Sequence, residues 1–116
     1  MRLSNLKLKN FRNYHETKLE FSPNINVLIG ENAQGKTNLL ESIYVLAMTK
    51  SHRTTNDREL IEFSKKSAFL EGIVEKKTGN LRLSLSLSKK GKTARVNSLE
   101  TPRLSQYIGK LNVILF

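Results

Sequence analysis

The chain contains no cysteine, so disulfides and thiolate metal sites are both excluded. No apolar run approaches the eighteen residues or so that a membrane-spanning helix requires, and no membrane association is expected. The opening residues, Met1-Arg2-Leu3-Ser4-Asn5-Leu6-Lys7, interleave basic and polar side chains with leucine and offer no apolar core for a signal peptide. His52 has only the distant His15 as a histidine partner, so a histidine-based metal site is not expected. These absences fit a reducing, cytoplasmic setting.

Acidic residues are also scarce: 20 Lys and Arg face 10 Asp and Glu, a net charge of +10. The excess is uneven. Residues 1–59 hold nine basic against six acidic side chains, and residues 60–116 eleven against four. Such an imbalance favours polyanions through long-range attraction and counterion release; the alternative is a basic surface with no partner. At 116 residues the chain is one domain at most, able to bury about two-thirds of the surface its unfolded form exposes.

What is present is concentrated in Gly30-Glu31-Asn32-Ala33-Gln34-Gly35-Lys36-Thr37, which fits the phosphate-binding pattern G-x-x-x-x-G-K-[ST]. By chance this pattern arises in roughly 0.4% of chains of this length. Ile25 to Ile29 reads as a buried strand before it, and Asn38 to Met48 as a helix after it, with Leu39, Leu40, Ile43, Leu46 and Ala47 at helical spacing. Strand, loop and helix are the context such a loop needs. Successive backbone N–H groups form an anion nest, and the helix adds the positive end of its dipole. Gly30 and Gly35 supply backbone able to take left-handed angles and approach phosphate. Lys36 reaches the β- and γ-phosphates, and Thr37 places a hydroxyl on Mg²⁺. ATP with Mg²⁺ is the expected ligand.

Around this motif the chain reads as strands. Arg2 to Phe11 alternates, a half-buried strand, followed by a turn over 10–14 and extended structure from His15 to Phe21. Asp57 to Phe63 reads as a short helical turn capped by Asn56 or Asp57. Ala68 to Glu75 and Leu81 to Ser88 read as paired strands. In the second, Leu81, Leu83, Leu85 and Leu87 face a core, with Arg82, Ser84, Ser86 and Ser88 on the wet side. Lys89-Lys90-Gly91-Lys92 turns into a further strand, Thr93 to Asn97. Pro102 to Ile108 reads as a helix and Leu111 to Phe116 as an apolar strand. A buried strand at the end suggests the front part of a larger protein.

Two parts of a nucleotide-hydrolysing site are missing from these residues. No run of four apolar residues ends in the acid that would hold Mg²⁺ and order water; Ala68-Phe69-Leu70-Glu71 is one residue short. No L-S-x-G-Q segment occurs either, since Leu87-Ser88-Lys89-Lys90-Gly91-Lys92 places its glycine one position late. Nucleotide binding without efficient turnover is the expectation, and no catalytic residue is assigned.

Three segments carry a family resemblance. Leu8-Lys9-Asn10-Phe11-Arg12-Asn13-Tyr14 resembles the N-F-R opening of the SMC branch of ABC-type ATPases, and Gly30-x-Asn32-x-x-Gly35-Lys36-Thr37-Asn38-Leu39-Leu40-Glu41 resembles that branch's nucleotide loop. Within it, Glu31 to Asn38, Lys50-Ser51-His52-Arg53 and Asp57-x-Glu59-Leu60-Ile61 look like the bacterial RecF family of DNA-repair ATPases. The resemblance implies an α/β fold, lobe I of an ABC-type P-loop ATPase head, with a mixed sheet and antiparallel hairpins around the helix. Residues 1–116 would then form that lobe, the rest of the head being absent. It implies ATP and Mg²⁺ binding, an ATP-dependent head-to-head homodimer, and binding of DNA at single-strand/double-strand junctions. It also implies work with RecR and RecO in loading RecA, and slow DNA-dependent ATP hydrolysis by the full-length protein.

Carried over by position, Gly30, Glu31, Asn32, Ala33, Gln34, Gly35, Lys36 and Thr37 take the phosphates, with Thr37 also on Mg²⁺. Arg12 matches the family arginine near the nucleotide, and Asn13 lies beside it. His52 and Arg53 fall in a loop with a possible role near nucleotide or DNA. For DNA phosphates the candidates are Lys65, Lys66, Lys76, Lys77, Lys89, Lys90, Lys92 and Arg95, since such contacts need only positive charge on one face. Two other readings stay open: a small P-loop kinase or GTPase, which expects a doubly wound parallel sheet, and a basic DNA-binding module with an incidental glycine-rich loop.

Overall fold

A computed structural model describes residues 2–21, 33–101, 107, 108 and 110. The expected strands at 25–29 and 111–116, and all but the end of the expected helix at 102–108, lie outside these residues. The first hairpin joins β1 (Arg2–Phe11) to β2 (Tyr14–Glu20) through the two-residue turn Arg12-Asn13. Next come helix α1 (Ala33–Met48) and a short 3-10 turn (Asp57–Leu60), which Asn56 caps by accepting the Arg58 backbone N–H. The chain then runs as a meander: β3 (Ser67–Lys76), β4 (Gly79–Ser88), β5 (Gly91–Val96) and β6 (Leu99–Glu100).

The six strands form one sheet in the order β2-β1-β3-β4-β5-β6, and every described pairing is antiparallel. Period-two patterning decides which face is dry. Leu6 and Leu8 of β1, Ala68, Leu70 and Val74 of β3, Leu83, Leu85 and Leu87 of β4, and Ala94 of β5 are all buried. Leu39, Val45 and Leu46 of α1 join the same core. β1 keeps its leucines on this face despite a register shift against β3 between Leu3 and Asn5. Gly72 of β3 marks where helix and sheet come closest: a Cβ there would lie 2.6 Å from Leu46 Cδ2 and 2.9 Å from Leu3 Cδ1.

Three features depart from the sequence reading. α1 begins at Ala33 rather than Asn38, so half of the nucleotide motif is already helical. Ser84, expected on the wet face, is buried between Glu71 and Arg95 in the ladder, whose long side chains can cover a small neighbour. β6 was not expected; Asn97 and Ser98, both at positive φ (52° and 71°), turn the chain back to pair Val96 with Leu99.

The C-terminal end of α1 is tied down from far along the chain. Thr49 follows the helix at φ 65°, and Lys92 Nζ donates to the Thr49 carbonyl at 2.7 Å, a basic group on the negative end of the helix. Tyr107, in a helical position, is buried and donates its hydroxyl to the Leu46 carbonyl at 2.6 Å. That bond satisfies one of the carbonyls a helix end leaves unpaired, and burial pushes the phenol pKa upward. Replacing Tyr107 with Phe keeps the ring and removes the donor, so the buried carbonyl loses its partner. Urea denaturation should then show a loss of about 1–3 kcal/mol with an unchanged m-value.

Candidate functional site

The site starts from polar residues on the core-facing side of α1. Asn38 and Glu41, three positions apart and so on one helical face, are both buried. Glu41 is fully buried, with no exposed surface, a costly place for a carboxylate without partners. Three segments meet it. Arg12, in the β1–β2 turn, donates from Nε at 2.6 Å and from Nη2 at 3.0 Å. Ser51 Oγ donates at 2.6 Å, and Arg53 Nη1 lies at 3.4 Å. Asn38 extends the network, accepting from Arg53 Nη1 at 2.9 Å and donating to Asn13 Oδ1 at 2.9 Å.

The backbone holds these groups in place. Arg12 adopts φ 49°, a left-handed conformation that costs a side-chain-bearing residue roughly 1–2 kcal/mol. Its N–H donates to the Leu60 carbonyl at 2.8 Å, and Glu62 N–H donates to the Asn10 carbonyl at 2.7 Å. The 3-10 turn therefore locks the hairpin tip that carries Arg12. Ser51 Oγ also accepts from the backbone N–H of Arg53 at 2.9 Å and of Thr54 at 3.3 Å, which folds residues 51–54 around the same carboxylate.

Burial alone would push the Glu41 pKa up; hydrogen bonds from Arg12 and Ser51, with the charges of Arg12 and Arg53, outweigh it and hold the value below that of ordinary glutamate. Hydrogen bonding to Glu41 raises the Arg12 pKa in turn. Near neutral pH Glu41 is thus an anion holding two cations.

Of the sequence-predicted residues, Gly30, Glu31 and Asn32 lie outside the described residues. Ala33, Gln34, Gly35 and Lys36 form the first turn of α1 in backbone, and Thr37 is exposed in the next. Gly35 therefore has helical backbone, not the left-handed loop conformation expected of it, because the helix already starts at Ala33. No acidic residue occupies the first turn of α1, which leaves the positive end of its dipole available to an anion. Arg12, Asn13 and Arg53 converge on Asn38 and Glu41. His52 does not join them: its ring stands edge-on to Tyr44 at 5.0 Å. Among the described residues no cluster of His, Asp or Glu could hold a metal ion.

The eight cationic candidates do not share one face. Pairing of Ser67 with Ser88 brings Lys65, Lys66, Lys89 and Lys90 to one end of the sheet. Lys76 and Lys77 sit at the other end of β3, about 30 Å away at the rise of an extended strand. Arg95 stands in β5 opposite Glu100 and Ser84. Lys92 is bound internally, to Thr49 and to Asp57 Oδ2 at 3.1 Å. Lys65, Lys66 and Lys89 line an open groove of about 870 Å³ that also reaches Arg12, Asn13, Asn38, Arg58 and Phe63.

Sequence reasoning missed two participants. The sequence assigns Glu41 no role; its signal is a carboxylate one turn after Thr37 on a face otherwise meant for the core. Phe63, 94% exposed beside the groove, was read as part of a helical turn.

The fold and the site together define a P-loop ATPase lobe of ABC type, and the chain belongs to the AAA ATPase domain family, which it matches over residues 1–97. Within that family it is similar to RecF. It is 63% identical over its whole length to the DNA replication and repair protein RecF of Ligilactobacillus salivarius (strain UCC118), and 57% identical to that of Staphylococcus haemolyticus (strain JCSC1435). It spans about 31% of the length of each of these relatives. Among solved structures it resembles the recombination mediator protein RecF of the RecFOR pathway, described as RecF-ATPrS, with a TM-score of 0.86 and 32% identity over 94% of this chain and 30% of that one. The SMC head domain from Thermotoga maritima shares the fold, with a TM-score of 0.68 and 23% identity over 91% of this chain and 40% of that one.

A measurable consequence follows from the lowered pKa of Glu41. The unfolded chain takes up this proton at a higher pH than the folded chain does. The stabilisation is therefore complete above the ordinary glutamate value and is lost as pH falls through the lower folded-state value. Thermal melts of the wild type and Glu41→Gln should differ most near neutrality and converge as pH drops below the ordinary carboxylate range. A gap that persists unchanged in acid would contradict this.

Proposed function

We propose that this chain is the ATP-binding lobe I of a RecF-like DNA-repair ATPase, with Gly30 to Thr37 cradling the phosphates and Thr37 contributing its hydroxyl to Mg²⁺. The observation that carries the reading is the convergence of Arg12, Asn13 and Arg53 on Asn38 and Glu41, directly after the nucleotide motif on the same helix. The cations gather on α1 within the two turns that follow the motif. Similarity to RecF over all 116 residues, and to a structure described as RecF-ATP over 87% of the chain, supports ATP as the nucleotide. Antiparallel pairing throughout the described strands speaks against a small kinase or GTPase, which would expect a doubly wound parallel sheet.

A signature segment and an apolar-strand carboxylate are absent from these residues, so the lobe is half of a composite site. Hydrolysis belongs to the assembled head, as does the ATP-dependent homodimer, and work with RecR, RecO and RecA belongs to the whole protein. The lobe binds and orients nucleotide. With Lys36→Ala, calorimetry should find ATP binding lost while the thermal melt stays near that of the wild type; retained affinity would refute the phosphate-cradle reading.

DNA is the second ligand in this reading, and the groove is where it would lie on this lobe. Lys65, Lys66 and Lys89 form no ion pair among the described residues, which leaves their charge for phosphates. Phe63 adds an exposed ring on which an unpaired base can stack, in keeping with a single-strand/double-strand junction. Replacing all three lysines with Ala should weaken DNA binding and lower the steepness of its salt dependence by about two to three phosphate contacts. Fluorescence anisotropy across a salt series measures both, and an unaltered slope would exclude the groove.

A further inference from the structure

We propose that Lys92 staples the loop between α1 and the 3-10 turn in a strained, closed state, and that loss of its charge releases Ser51 and Arg53 from Glu41. The coupling needs no nucleotide and stands apart from the reading of Gly30 to Thr37 as a phosphate cradle.

Both ends of the loop meet one ammonium. Lys92 Nζ donates to the Thr49 carbonyl at 2.7 Å, where α1 has just ended, and to Asp57 Oδ2 at 3.1 Å, where the 3-10 turn begins. The lysine side chain comes from β5 and is only 22% exposed. Between these ends, and among the described residues, the backbone of 50–55 makes no backbone hydrogen bond to α1 or to any strand. Side chains hold the middle of the loop instead. Ser51 meets Glu41, Arg53 meets Asn38 and Glu41, and the His52 ring stands against Tyr44.

The chain leaves the helix through a backbone that resists the path. Thr49 is buried at φ 65°. The residue in that conformation after a helix is usually glycine, sometimes asparagine. A β-branched residue there is a genuine outlier, and it persists only where its surroundings over-determine it. Lys92 supplies the opposing force, a charge-assisted bond to a carbonyl at the negative end of the helix. Without that charge Thr49 is free to return to ordinary angles, and the chain beyond it swings away. Ser51 lies two residues further on and Arg53 four, so the two groups that reach Glu41 from this loop leave together. Arg12 reaches Glu41 from the β1–β2 turn and stays.

The test compares the wild type with Lys92→Met, which keeps the length of the side chain without its charge, and Lys92→Arg, which keeps the charge. Trypsin cleavage after Arg53 reports the open loop, and cleavage after Arg82 within β4 reports unfolding of the sheet. In Lys92→Met the Arg53 rate should rise about tenfold, the size of one charge-assisted hydrogen bond, with the Arg82 rate within about twofold of the wild type. Lys92→Arg should recover most of the protection. Carboxylate titration by carbon NMR supplies the readout that a merely structural role would not move. In Lys92→Met the Glu41 value should rise towards that of ordinary glutamate, because Ser51 and Arg53 no longer hold it down. Adding Thr49→Asn, which tolerates the left-handed angles, should restore both readouts. An unchanged Arg53 rate, an equal rise at Arg82, a wild-type Glu41 titration in Lys92→Met, or Lys92→Arg behaving as Lys92→Met would each overturn the staple. Should Lys92→Met not fold, Asp57→Asn removes one of the ammonium's two partners. It should speed cleavage after Arg53 by a smaller factor, and a wild-type rate there would refute the proposal.

Discussion

The carboxylate of Glu41 sits where water does not reach, so protein groups have to satisfy its charge. That requirement organises everything near it. Arg12 accepts a strained backbone to supply a bidentate partner, Ser51 turns its loop inward, and Arg53 adds a second cation. An apolar residue at position 41 would pack as well and ask for none of this. The β1–β2 turn and the loop after α1 are thus held to the helix by one anion, and the cluster lies one turn beyond the nucleotide motif.

The sheet supplies the platform that makes the arrangement rigid. Its dry face receives α1 closely enough that a side chain at Gly72 would collide with Leu46 and Leu3. The far end of the helix is fixed by Lys92 and Tyr107. With one end pinned and its flank packed, α1 can only present Asn38 and Glu41 to the hairpin tip. Lys92 illustrates how charge and location separate. It belongs to the basic stretch that draws attention to polyanions, yet its ammonium serves a helix terminus and Asp57.

Much of this was legible in the sequence, and the reasons differ by element. The leucines of β4 alternate without interruption and define a strand with a dry face, and their antiparallel partners follow from short turns at 77–78 and 89–90. The helix after Gly35-Lys36-Thr37 was legible from its apolar spacing, although it starts earlier, at Ala33. What escaped notice depends on residues far apart in the chain. Arg12 and Glu41 are 29 positions apart, Lys92 and Thr49 43, and Tyr107 and Leu46 61. Local pattern carries no information about such pairings. Ser84 alternates like a solvent-facing residue, and only its neighbours in the ladder make it buried. β6 was hidden by its length of two residues and by a turn in which neither residue is glycine.

The order of the strands has a kinetic side. β3 to β6 are joined by turns of two residues, so this meander can zip up at little loop-closure cost. β1 must instead find β3 across more than fifty intervening residues, and such non-local pairing is the slow kind. Arg12 rides on the hairpin that arrives by this route, whereas Glu41 rides on the helix. The meander can therefore form before the anion meets its principal cation, and until β1 docks Glu41 is free to stay hydrated. Closure of the Arg12–Glu41 pair then reports that the first hairpin has found its place, making the corner that joins hairpin and helix among the last parts to be secured during folding.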